Sequence, residues 1–134
     1  MRKEPLVTGE YYHIYNRGVD KRDIFIDLKD LGRFKESIKL FNQIEGIGSL
    51  ELHHKQMRAL DSHPQIKSNP LVAIVSFSIN PNHFHFILKQ LIDGGIAKFL
   101  QKLQGGYTYY FNQKNQRSGS LFQGTFKSKL ISGD

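Results

Sequence analysis

His83 and His85 stand two apart in the run Asn80-Pro81-Asn82-His83-Phe84-His85-Phe86-Ile87-Leu88-Lys89, with Phe84 between them. On a β-strand alternate residues share a face, so both imidazoles would point one way while Phe84, Phe86 and Leu88 point toward a core. Two residues of strand span roughly 6.5–7 Å between Cα atoms, a pitch from which two ring nitrogens can converge on one ion. The pair is therefore a candidate metal site. Its spacing also fits two half-exposed histidines with no ligand, because a competent site generally needs a third protein group.

The elements that would position the pair can be read outward from it. Residues 71–79 (LVAIVSFSI) end in Asn80-Pro81-Asn82, a turn signal that makes the histidine strand the second arm of a hairpin. That run is β-branched and lacks strict alternation, which predicts a central strand covered on both faces. Residues 10–16 (EYYHIYN) predict a first strand, followed by a polar, charged loop over 18–23. Asp27 reads as a helix N-cap with Asp30 three residues on, and Leu28, Leu31, Phe34, Ile38 and Phe41 recur at helical spacing. Lys29, Arg33, Lys35 and Lys39 would form the basic outer face of that helix.

Residues 45–69 are broken by Gly46, Gly48 and Pro64 and predict a mobile connection with a short helical turn near 52–60. His53, His54 and His63 fall there and read as solvated. Beyond the histidine strand, Ile96, Phe99, Leu100, Leu103, Tyr107, Tyr110 and Phe111 mark a second helix. Gly105-Gly106 within it suggests a kink or a close approach of another backbone. Residues 120–131 read as a final strand or a bulged hairpin arm, with Gly124 at the bulge. The order strand, helix, strand, strand, helix, strand predicts one α+β domain over 1–134, a ferredoxin-like antiparallel sheet with two helices on one face. In that topology the first and third strands are neighbours, which brings His13 and Tyr15 near the histidine pair.

Composition narrows the partners. The 134 residues contain no cysteine, which excludes disulfides, zinc ribbons and thiol catalysis and fits a reducing, cytoplasmic setting. No apolar run approaches the roughly 18 residues of a membrane span, and the N-terminal residues lack the apolar stretch of a signal peptide. The formal charge of +7 and pI near 9.7 favour a polyanionic partner. Residues 94–133 hold no Asp or Glu but carry Lys98, Lys102, Lys114, Arg117, Lys127 and Lys129, for which phosphate is the natural counter-charge.

Four ordered blocks carry a resemblance. Pro81-Asn82-His83-Phe84-His85 resembles the PNHFH signature of the HUH-type single-strand DNA transposases, and specifically the REP-associated tyrosine transposases. YHIYNRGVDKRDIF (12–25), YTYYFNQK (107–114) and RSGSLFQGTFKSKL (117–130) agree with the same family in the same order. The resemblance implies a ferredoxin-like domain that recognises single-stranded or hairpin DNA and cleaves and rejoins it through a 5′-phosphotyrosine. It also implies Mg²⁺ or Mn²⁺ held by His83 and His85 against the scissile phosphate, and dimers occur among relatives. The nucleophilic tyrosine of these enzymes lies on a helix after the block matched by LFQGTFKSKL, so the chain reads as truncated before it. Tyr109, off the apolar stripe, is the least implausible substitute. Thr125 replaces an arginine usual in the last block, and Asn80 stands where the family more often has an apolar residue.

For DNA contact the expected residues are Arg17, Lys21 and Arg22 after the first strand, Asn82 at the turn, and Lys102, Arg117, Gln123, Lys127 and Lys129 toward the C-terminal side. Tyr107 or Phe122 would stack a base. A competing reading is a non-catalytic DNA-binding remnant or regulator. A ferredoxin-like RNA binder ranks last, because no RNP-type block is present.

Overall fold

The computed structural model describes residues 5–44 and 69–132. In chain order the elements are β1 (Tyr11–Arg17), a 3-10 turn (Val19–Lys21), α1 (Leu28–Phe41), β2 (Val72–Asn80), β3 (His83–Gln90), α2 (Gly95–Asn115) and β4 (Lys127–Ile131). The strands form one antiparallel sheet in the order β2-β3-β1-β4. The α+β class, the two-helix antiparallel architecture and the adjacency of the first and third strands are as expected.

Alternation on β3 separates the two faces of the sheet. Phe84, Phe86 and Leu88 are 0%, 1% and 0% exposed, while the residues between them are half-buried. Phe34 of α1 packs on Phe84 and Phe86, and Phe99 of α2 packs on Phe86, so both helices cover this one face. Burying each such ring contributes about 1.5–3 kcal/mol. Among the described residues no helix covers the other face of β3, which carries His83 and His85.

Asp27 caps α1 by accepting the Asp30 amide at 2.9 Å, as its sequence predicts. Leu28, expected on the buried stripe, is instead 84% exposed. At 100° per residue it lies about 120° around the helix from Phe34, and Asp30 takes the inward position one turn before that ring. Asp30 is fully buried and accepts from the Ile26 amide, the Tyr110 hydroxyl and the Lys114 ammonium at 3.0, 2.8 and 2.8 Å. Lys114 also reaches Asp27 at 2.6 Å, and the Arg33 guanidinium lies 4.9 Å from the Tyr110 ring centre. This network ties the start of α1 to the end of α2.

α2 runs unbroken through Gly105-Gly106. A Cβ at Gly106 would lie 2.9 Å from the Phe41 ring, so the glycine permits α1 and α2 to pack closely rather than kinking the helix. β2, expected at the sheet centre, is an edge strand with a bulge between Ile74 and Ser76 and with Val75 and Phe77 exposed. An apolar run carries no mark of whether strands flank it on both sides. The last strand is shorter than expected. Residues 120–126 form a loop, bridged to Gly18 through Phe122, and Gly124 sits at a φ of +66° in that loop rather than at a strand bulge. The connection expected at 45–69, with its short helical turn and three histidines, lies outside the described residues except for Asn69.

Candidate metal centre and nucleic-acid face

The turn that starts the histidine strand is gripped by the segment after β1. Gly18 donates its amide to the Asn82 carbonyl at 2.9 Å, and the amides of Ile24 and Phe25 both donate to the Pro81 carbonyl at 2.8 and 3.0 Å. The Asn82 side-chain amide donates to the Lys21 carbonyl at 3.3 Å. Close approach explains the glycine, since a Cβ at position 18 would lie 2.4 Å from the Arg22 carbonyl oxygen. Asp20 and Lys21 adopt left-handed φ values of 57° and 59°, a conformation that non-glycine residues hold only when their surroundings impose it. Two of the sequence blocks thus hold each other.

On the sheet face opposite the two described helices, the imidazoles of His83 and His85 have ring centres 4.9 Å apart and stand edge-on at 89°. The Nδ1 of His83 lies 2.7 Å from the Asn82 Oδ1. The Nδ1 of His85 lies 2.9 Å from the Nε2 of His13, whose ring stacks at 5.0 Å and 19°. Burial, and then the neighbouring imidazoles of His13 and His83, push the pKa of His85 below its ordinary value and favour its neutral, ligand-competent form. Tyr15 lies 4.9 Å from the His13 ring and 6.0 Å from that of His85.

Strand register supplies the charge. Arg17 is opposite His83, Lys129 opposite His13 and Lys127 opposite Tyr15, so all three cations share the imidazole face. None of the strand positions on this face is Asp or Glu. A shallow depression of about 460 Å³ lies between His13, Ser76, Ser78, His85, Ile87 and Lys129. Two imidazoles on one open face fit a divalent cation, and fit Mn²⁺ better than Mg²⁺, which prefers oxygen ligands and retained water. No group of three His, Cys, Asp or Glu able to hold a metal occurs among the described residues. The pair would therefore hold a cation with positions left open to other oxygens.

The remaining expected contacts divide. Lys21 and Arg22 are exposed beside Asn82, and exposed Gln123 is brought near β1 by its amide bond to the Arg17 carbonyl at 2.9 Å. Tyr107 is 0% exposed with its hydroxyl bonded to the Ile24 carbonyl, and Phe122 is 5% exposed, so neither offers a face to a base. Both rings fill the core, where the helical stripe of α2 and the loop before β4 meet. Lys102 donates to the Gln43 carbonyl on the helix side of the sheet. Arg117 is held by Asn112 and by the carbonyls of Gly119 and Ser120, where it closes the turn after α2. Tyr109 is 58% exposed, but α2 lies across the sheet from the imidazoles. Sequence reasoning did not single out Tyr11 and Lys89, whose ammonium lies 5.5 Å from the Tyr11 ring centre. The alternation of β1 and β3 carried that signal.

The sequence model of the IS200-like transposases matches residues 51–134, which include the histidine pair and both later blocks but not the 12–25 block. A REP-associated tyrosine transposase bound to a REP hairpin superposes with a TM-score of 0.61 at 12% identity, covering 100% of this chain and 63% of that one. This chain thus spans less than two thirds of that protein. A protein of Deinococcus radiodurans R1, provisionally named a transposase, superposes with a TM-score of 0.56 at 14% identity, covering 99% of this chain and 88% of the other. No curated protein sequence matches the chain. At these identities the superpositions speak for the fold, while the sequence match extends over more than half of the residues. The chain belongs to the family of IS200-like transposases.

Proposed function

We propose that this chain acts in DNA transposition by binding single-stranded or hairpin DNA across the sheet face that carries the imidazoles, with a divalent cation at His83 and His85. The observation that carries the reading is the imidazole pair beside Arg17, Lys127 and Lys129 on a face whose strands hold no carboxylate. Such a face attracts a phosphate backbone and repels nothing on it. Arg17, Lys127 and Lys129 hold phosphates, and Lys21, Arg22 and Gln123 extend the contact past the end of β1. A cation bound there would polarise a phosphoryl oxygen and offset charge in the transition state of strand transfer. His83 and His85 would hold it, and two protein ligands would leave the cation available to phosphate oxygen. The family resemblance assigns the nucleophile to a tyrosine on a helix following the last block. Tyr107 and Tyr110 of α2 do not serve instead: burial pushes Tyr107 far up, and burial with the bond to Asp30 pushes Tyr110 up to about 12. The second reading, DNA binding without cleavage, is favoured by those same phenols standing across the sheet from the imidazoles.

The test is binding of a labelled DNA hairpin with a single-stranded foot, followed by fluorescence anisotropy with and without Mn²⁺. Affinity should fall steeply with salt and rise with Mn²⁺, and the Mn²⁺ effect should vanish in His83→Ala. Binding that is absent at low salt, or indifferent to Mn²⁺, overturns the proposal. A denaturing gel of the same mixtures separates the two readings, since a covalent protein–DNA adduct lost in His83→Ala would mean cleavage by these residues themselves.

A further inference from the structure

Each histidine of the pair has its Nδ1 engaged by a different partner, and the partners come from different parts of the chain. For His83 the partner is the Asn82 Oδ1 at 2.7 Å. The direction of that bond is set by a third group: the Lys21 carbonyl can only accept, so it takes the Asn82 amide nitrogen and leaves the amide oxygen for His83. An amide oxygen also only accepts, so His83 carries a proton on Nδ1, and its neutral form keeps the lone pair on Nε2. For His85 the partner is the His13 Nε2 at 2.9 Å, reached across the β1–β3 pairing. When His85 donates from Nδ1 to that nitrogen, its own Nε2 is likewise left with a lone pair. Ligating histidines generally show this pattern, with one nitrogen donating to an orienting acceptor and the other facing the ion.

We infer that Asn82 and His13 are positioning residues that set both imidazoles of the pair in the Nδ1–H form and so present Nε2 of His83 and Nε2 of His85 to a divalent cation. The inference rests on the proposed metal role of the pair and adds to it the two groups that make it ligand-competent. It also gives the left-handed Lys21 a purpose, because its carbonyl orients Asn82. The Nε2 of His13 is occupied by His85, so through that nitrogen His13 acts on the cation by way of His85 rather than as a ligand.

The decisive measurement is long-range ¹H–¹⁵N correlation NMR of the histidine rings in the metal-free full chain at pH about 8, well above the ordinary histidine pKa. Nδ1–H signatures for both His83 and His85 are expected, and an Nε2–H signature for either one overturns the inference. Mn²⁺ titration by calorimetry then reads the consequence. His13→Phe should weaken Mn²⁺ binding by about 10–100-fold, while His13→Gln, whose amide oxygen can still accept from Nδ1, should keep most of the affinity. Equal Mn²⁺ affinity for the parent chain and His13→Phe refutes the positioning role. A parent chain that binds no Mn²⁺ removes the metal reading instead, and the ring-nitrogen signatures, measured without metal, still decide the tautomers.

Discussion

Two polar clusters sit on opposite sides of the sheet. On the helix side, Asp30 is fully buried and its carboxylate is bonded by an opposite charge and two donors: Lys114, the Tyr110 hydroxyl and the Ile26 amide. On the open side, His13, His83 and His85 stand half-buried among Arg17, Lys127 and Lys129, and no strand position on that face offers a carboxylate. The first cluster is complete in itself, so its groups serve stability. The second carries, among the described strand positions, charge of one sign beside three imidazoles, an arrangement that suits a ligand bringing negative charge or a cation.

The contrast is broken most forcefully at Asp30. Asp30→Ala should leave the Tyr110 hydroxyl and the Lys114 ammonium without their acceptor and cost about 3–5 kcal/mol in urea unfolding, while the remaining folded protein binds DNA as before. A cost under about 1 kcal/mol would show that water replaces the carboxylate and that the network is not closed.

Alkali tests the same network without a mutation. Tyr110 is pushed from 10.0 up to about 12, and Lys114 is raised above 10.5 by its bonds to Asp27 and Asp30, so both protonated forms are favoured by folding. Their contribution is fully present below pH 10 and is lost as pH rises through the raised values. Unfolding midpoints should therefore fall between pH 10 and about 12 in the parent chain, and much less in a Tyr110→Phe, Lys114→Met double variant. Equal falls in both would assign the alkaline loss elsewhere.

On the open face the effects are smaller and fall on binding. Lys127→Ala and Lys129→Ala should each weaken single-stranded DNA binding uniformly across sequences and flatten the log–log salt slope by about 0.7, with stability changed by under about 0.5 kcal/mol. A variant that loses affinity with an unchanged salt slope would mean that its lysine does not contact phosphate.

How far the chain could be read in advance depended on how local each feature is. The alternation of Phe84, Phe86 and Leu88 against His83 and His85 is local, and it placed the histidines together on one face before any tertiary contact was known. The Asp27 cap and the core positions of α2 are of the same kind. Leu28 was misjudged because a stripe drawn through apolar residues passed over Asp30, whose inward place depends on Tyr110 and Lys114 some eighty residues away. Tyr107 and Phe122 look like stacking rings in sequence, and only the packing of α2 and the 120–126 loop against the sheet buries them.

The amino-acid order alone determined the helices and the first three strands of the described residues, the excess of positive charge toward the C-terminal part and the shared face of the imidazole pair, because these follow from backbone periodicity and composition over a few residues. Only the tertiary structure decided that β2 is an edge, that Arg117 and Lys102 are spent on internal carbonyls, and that His13 bonds to His85 across 72 positions of chain. Those outcomes rest on strand order and register, which are settled by the simultaneous burial of both helices on one face and leave no trace in any single stretch of sequence.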